Sequence, residues 1–229
     1  MQQENRRIIL FTGHFGSGKT ELAINYSIKL ARQGQAVTVV DLDIVNPFFR
    51  SSEVRDVLEK EGIRLLSPNF VGTTVDVPSL PPEIYSVFQS KNSKVIFDVG
   101  GDDIGATALG RYYPYFMQEP YRMFFVINAR RPLSSTPEQI IEMLKAIESH
   151  SRLKVTDLIN NTNLMYETNL NHLLEGQEIV EQVSEKLNIP IAYISGVAEV
   201  IEQLPEQYNK KGFPIDIYLH PPWDREDEV

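Results

Sequence analysis

The 229-residue chain contains no cysteine. That removes disulfides, thiolate zinc sites, iron–sulfur clusters and thiol nucleophiles together. Tryptophan is almost as scarce, with Trp223 standing alone. No apolar run approaches the roughly 20 residues that a membrane-spanning helix needs. Positive charge is the minority: 22 Lys and Arg against 31 Asp and Glu leave a net charge of -9. A field of that sign repels phosphate backbones and anionic membrane surfaces, so neither nucleic acid nor a membrane is an expected partner. The opening residues "MQQENRR" are polar where a secretory signal would carry an apolar core, and the expected compartment is the cytoplasm.

What is present is ordinary globular material, 42% hydrophobic and 23% charged, suited to a single domain over 1–229. Residues 213–229 read as a C-terminal extension packed on that domain. Its end, "HPPWDREDEV", is too rich in proline and acid for an amphipathic membrane helix. Six short, near-continuous apolar runs recur along the chain, at 7–13, 36–43, 94–101, 122–129, 154–161 and 189–195. Runs of this kind predict parallel strands buried on both faces. Between them lie helical segments, among them "KTELAINYSIKLARQG" with Gly34 as its stop, and "TPEQIIEMLKAIESH" with Thr136 as N-cap and Gln139 closing a capping box. The predicted fold is α/β: a doubly wound, mostly parallel sheet with helices on both faces. A proline-punctuated stretch, 67–82, predicts a long loop.

The chemistry concentrates at strand ends. "GHFGSGKT", Gly13 to Thr20, satisfies G-x-x-x-x-G-K-[ST] between an apolar strand and a helix. Gly13, Gly16 and Gly18 let the backbone curl, with Ser17 among them, so that N–H groups face phosphate oxygens at the positive end of a helix. Lys19 supplies a point charge for β and γ phosphates, and the Thr20 hydroxyl is the expected Mg2+ ligand. The next strand ends in "DLDIVNP". Asp41 and Asp43, two apart on a strand, point to one side, so one carboxylate orients an attacking water while the other supports Mg2+. The strand "KVIFDVGG" ends in Asp98, which fits a metal-supporting carboxylate, and Asp98 to Gly101 has the D-x-x-G spacing of a γ-phosphate sensor. The aromatics of "GRYYPYF", with Phe48 and Phe49, serve either the core or a partner. After a later strand, "LINNTN" puts Asn163 where guanine readers carry aspartate. An amide offers one donor and one acceptor, complementary to adenine, so ATP is the expected nucleotide, with Asn160 or Asn161 making the contact.

Taken in order, "GHFGSGKT", "DLDIVNP" and "DVGG" resemble the MinD/ParA/CobQ/CobB nucleotide-binding superfamily, within the SIMIBI class of P-loop NTPases. The resemblance covers roughly 6–200 in layout. It implies a P-loop ATPase in which Asp43 is a switch residue that helps activate water. Asp98 then matches the Walker B aspartate near Mg2+, and the "NN" pair contacts adenine. Many members form sandwich dimers in which a lysine early in the loop crosses to the partner's phosphates. This chain departs there: His14 and Phe15 stand where lysine and glycine are expected. The expected function is a slowly hydrolysing, Mg2+-dependent ATP switch acting on a protein partner, or on a second copy, through its switch regions. No resident arginine or lysine finger is evident from the sequence. The alternative is an ATP-dependent ligase or phosphotransferase like dethiobiotin or cobyrinate synthetases, with Arg50, Arg111, Arg130 and Arg131 holding a carboxylated metabolite.

Overall fold

The computed structural model describes residues 6–43, 54–67, 83–101 and 103–219, the side chains of 103 and 104 excepted. Eight parallel strands form one sheet in the order β3-β2-β4-β1-β5-β6-β7-β8. They are β1 (Ile8–Gly13), β2 (Val37–Leu42), β3 (Arg64–Leu66), β4 (Lys94–Val99), β5 (Tyr121–Ile127), β6 (Asp157–Asn160), β7 (Ile191–Gly196) and β8 (Gly212–Pro214). The doubly wound α/β architecture expected from the strand pattern is the one observed. All six predicted strands appear at their apolar runs. The two that the pattern did not announce, β3 and β8, are three-residue edges, too short to show a period.

Alternation along β1 explains why the sheet is covered on both sides. Ile8 and Leu10 enter one core cluster, with Phe97, Phe125, Ile140 and Leu144. Ile9 and Phe11 enter the other, with Leu22, Tyr26 and Phe124. Helix α1 (Lys19–Arg32), with α2 (Arg55–Lys60), covers the second face. The opposite face carries α3 (Glu83–Gln89), α4 (Asp103–Gly110), α5 (Tyr113–Phe116), α6 (Pro137–Ser151) and α7 (Leu170–Leu187). A one-turn helix, α8 (Ala198–Ile201), follows β7. Helix α6 starts at the expected capping box, with Thr136 and Gln139 bonding reciprocally. The aromatic segment belongs to the core: Tyr112 and Phe116 are fully buried, and Phe88 stacks 5.1 Å from Tyr115. Phe48, Phe49 and Arg50 lie outside the described residues, as do Trp223 and nearly all of the 67–82 loop.

The stretch after β8 runs across α1. Asn25 donates to the Asp216 carbonyl and accepts from the Asp216 N–H, both at 2.9 Å. The Glu21 carboxylate accepts from the backbone N–H groups of Tyr218 (2.8 Å) and Leu219 (3.2 Å). Burial pushes Glu21 up to about 7 against the pull of these two bonds. Among the described residues no helix is long and apolar enough to cross a membrane.

Candidate nucleotide site

The strand order places β1 between β4 and β5, and the chain leaves β1 toward β2 but leaves β4 toward β5. Ligands of open parallel sheets bind at such a reversal, outside the C-terminal strand ends. Gly13 to Thr20, Asp41, Asp43, Asp98, Gly101, Asn160 and Asn161 end up at this edge, whereas Arg111, expected as a substrate arginine, follows α4 and is exposed. Gly18, at φ +84°, is the N-cap of α1, and no side chain caps the helix. The first N–H groups of α1 are therefore left to an anion. A side chain at Gly18 would be strained by that φ, and its Cβ would stand 2.3 Å from the Asn161 amide nitrogen. Gly101 is required by contact: a Cβ there would fall 1.7 Å from the Gly13 carbonyl oxygen, so the end of β4 touches the loop directly.

On the β4–β2 side the site is made of acids. Lys19, 4% exposed, meets Asp43 at 2.9 Å between Nζ and Oδ2, with both side chains buried. Asp41 Oδ1 accepts from the Asp43 N–H at 3.0 Å, so it shapes the turn that delivers Asp43. Asp41 and Asp98 are register partners on neighbouring strands. Asp98 has no exposed surface, and neither of its oxygens has a hydrogen bond of good geometry among the described residues. Burial pushes its carboxyl up to about 8, with Asp41 and Asp43 adding to the rise and Lys19 and the Thr20 hydroxyl opposing it.

Buried carboxylate oxygens without partners fit a hard divalent cation, and Thr20 brings a hydroxyl to the same place. Among the described residues no cluster of three or more His, Cys, Asp or Glu could hold a metal by itself. This donor set suits Mg2+, which keeps several waters and takes phosphate oxygens beside one or two carboxylates.

On the β5–β6 side the site is made of amides, and every amide is engaged. Asn160 donates to the Leu173 carbonyl (3.0 Å) and Gln177 (3.1 Å) and accepts from the Thr162 N–H (3.0 Å), facing α7. Asn161 donates to the Ser17 carbonyl at 2.7 Å and accepts from the Ser195 hydroxyl at 2.9 Å, tying the phosphate loop to β7. Asn163 donates to the Asn161 carbonyl at 2.7 Å and accepts from the Met165 N–H at 3.3 Å, an Asx turn.

Two contributors at this edge were not assigned these contacts from sequence. Asn128, fully buried after β5, donates to the Asn163 carbonyl (3.1 Å) and accepts from the N–H groups of Arg130 (3.0 Å) and Asn163 (3.2 Å). A polar residue closing a buried apolar strand was its only signal. Arg131 donates from Nε to the Gly16 carbonyl at 3.0 Å, across 115 residues of sequence. At the loop tip His14 turns onto the Phe15 carbonyl at 2.7 Å, and Phe15 is 59% exposed.

A phosphate loop at the end of the central strand of a doubly wound parallel sheet defines the fold of the P-loop NTPases. Solved structures bear this out: the chain is similar in fold to the signal recognition particle receptor FtsY. The receptor from Elizabethkingia anophelis matches at 16% identity over 82% of this chain and 58% of that one, with a TM-score of 0.50. The Thermotoga maritima protein matches at 16% identity over 91% and 65%, with a TM-score of 0.55. Chloroplast FtsY from Physcomitrella patens matches at 15% identity over 82% and 58%, with a TM-score of 0.55. The chain thus spans about 58–65% of the length of these structures. At 15–16% identity the likeness is one of fold alone, and it does not single out the MinD/ParA/CobQ/CobB branch that the motifs resemble. No protein-family model matches the sequence, and no curated protein does.

Proposed function

We propose that this chain is a slow, Mg2+-dependent nucleoside triphosphatase that acts as a switch on a protein partner, with ATP as its preferred nucleotide. The observation that carries the proposal is the buried Lys19–Asp43 pair at the foot of an uncapped helix. Lys19 already holds an anionic oxygen where a terminal phosphate would sit. A triphosphate replaces Asp43 on Lys19, and the freed carboxylate orients the attacking water. Mg2+, when bound, neutralises phosphate charge, and Thr20 with Asp98 would hold it. Exchange of Asp43 between lysine and water also couples the phosphate to the chain that follows it, a natural trigger for a partner. The fold shared with a receptor for the signal recognition particle supports the same reading.

The preference for ATP rests on the residues after β6. From Asn160 to Asn163 they offer amides and a hydroxyl and no carboxylate to take both guanine donors. We place the base contact on Asn161, which keeps a second N–H and a second oxygen lone pair beyond Ser17 and Ser195, whereas both N–H bonds of Asn160 already point into α7. One FtsY relative of the same fold is solved with GDP, which makes GTP the informative competitor.

Phosphate release from ATP and from GTP, with and without Mg2+, tests the proposal. Expected is Mg2+-dependent ATP turnover on the order of 10⁻⁴–10⁻² per second without a partner. Faster GTP turnover would overturn the base assignment alone. Absence of binding to either nucleotide would overturn the whole reading, and ADP release that requires a small metabolite would favour the ligase.

A further inference from the structure

The loop between β5 and α6 does more than connect. Its backbone is fixed at nearly every residue. Arg131 N–H donates to the Asn128 carbonyl (3.2 Å), Ser134 N–H to the Arg131 carbonyl (3.0 Å), and the Ser134 hydroxyl to the Asn128 carbonyl (2.7 Å). Ala129 N–H reaches the Thr162 hydroxyl at 3.2 Å, which joins this loop to the one after β6. Arg130 leaves the frame outward and pairs with Glu175 on α7. Arg131 turns the other way, onto the phosphate loop. Its Nε meets the Gly16 carbonyl, and its guanidinium fills the space beside Gly16, where a Cβ would be 3.1 Å from Nε and 3.3 Å from Cζ. The residue at 16 is therefore glycine for two reasons, a φ of +73° and the space this arginine occupies.

Resting on the nucleotide reading above, we propose that Arg131 is a resident catalytic arginine, whose terminal N–H groups contact the γ-phosphate while Nε remains on Gly16. Among the described residues those terminal nitrogens have no hydrogen-bond partner, and no acid forms an ion pair with them. Within the described residues, one of the five guanidinium donors is used. The planar fork suits phosphate oxygens, and a rigid frame spares reorganisation when charge develops in the transition state. In the step itself, water attacks the γ-phosphorus and the bond to the β,γ-bridging oxygen breaks. That oxygen leaves with the electron pair on the diphosphate, and the water's proton ends on inorganic phosphate. Arg131 forms no covalent bond and transfers no proton; it donates hydrogen bonds to oxygens whose charge shifts. A cation anchored in the same chain takes the place of the crossing lysine, whose position His14 occupies.

Affinity for ATP and ADP, together with single-turnover hydrolysis, decides the matter in wild type, Arg131→Ala and Arg131→Lys. Arg131→Ala is expected to slow the chemical step about 100-fold or more. It should weaken ATP binding about tenfold and leave ADP binding unchanged, because only the triphosphate meets the missing groups. Arg131→Lys restores the charge without the fork and should fall between the two. Equal weakening of ATP and ADP would overturn the inference and leave Arg131 as a strap on the loop. Unchanged hydrolysis in Arg131→Ala would overturn it as well. Should Arg131→Ala fail to fold, Arg131→Lys with wild-type ADP affinity and wild-type hydrolysis would be the overturning result. A wild-type protein that binds neither nucleotide removes the nucleotide reading instead, which keeps the two failures distinct.

Discussion

The two flanks of the phosphate loop are built on opposite principles. On the β5–β6 flank, Asn128, Asn160, Asn161, Asn163, Thr162 and Ser195 satisfy one another and the backbone at 2.7–3.3 Å, with no ligand required. On the β2–β4 flank, Asp43 pairs with Lys19, Asp41 accepts from the Asp43 N–H, and Asp98 is buried with neither oxygen in a hydrogen bond of good geometry among the described residues. A buried amide network costs little once every member is paired, whereas buried like charges raise the free energy until a cation joins them. The amide flank is thus a finished mould that holds the loop's shape. On the proposed reading, the acid flank is the part of the site that changes when nucleotide and metal arrive.

Breaking the acid flank at Lys19 gives the largest expected effect. Lys19→Ala should lower nucleotide affinity more than about 100-fold, measured by titration with a fluorescent ATP analogue. Wild-type affinity in that variant would show that the loop binds phosphate by backbone alone. Asp43→Asn separates binding from chemistry: turnover should fall about 100-fold while ATP binds at least as tightly, since Lys19 no longer has to leave a carboxylate. Wild-type hydrolysis by Asp43→Asn would remove Asp43 from the reaction.

Asp98→Asn sharpens the comparison by making the acid flank resemble the amide one. Asp98 rises to about 8 in the folded protein from an ordinary 3.8, so the native state keeps a proton that the unfolded chain releases. The contribution of Asp98 to the stability of the nucleotide-free protein is therefore full below about pH 4 and is lost as pH rises toward 8, with Glu21, raised to about 7, adding to the same decline. In EDTA, Asp98→Asn should flatten that decline and raise the thermal midpoint at pH 8 by several degrees, while abolishing Mg2+-dependent turnover. A steeper decline in the variant would place the stored strain elsewhere.

The smallest effect is expected from the finished side. Asn161→Ala takes the donor from the Ser17 carbonyl and an acceptor from Ser195, and should cost about 1–3 kcal/mol in urea unfolding, with little dependence on pH. A change in pH dependence as large as that of Asp98→Asn would erase the distinction between the flanks.

Legibility from sequence follows the same division. Strands of six or seven apolar residues and the G-x-x-x-x-G-K-T run are local signals, and the central sheet and the phosphate loop follow from them. Asp43 and Asp98 were legible because carboxylates closing apolar strands at a ligand-binding edge have few structural uses. The amide flank was much less so: "LINNTN" reads as a base reader, and only coordinates show Asn160 facing α7 while Asn161 holds Ser17. Arg131 on Gly16 joins two loops 115 residues apart, a contact that no periodicity encodes. The aromatics of "GRYYPYF" carried no sign of which face they would meet, and Tyr112 and Phe116 went to the core.

Glu21 follows Thr20 directly, and its carboxylate grips the backbone of Tyr218 and Leu219. Asn25, one turn later, grips Asp216. The helical turn that begins with Lys19 is therefore also the mooring point of a segment some 200 residues downstream. Mechanical load applied to residues 216–219 arrives within two residues of Lys19, with no intervening element to absorb it, so a handle attached beyond that segment would tug on the phosphate loop itself.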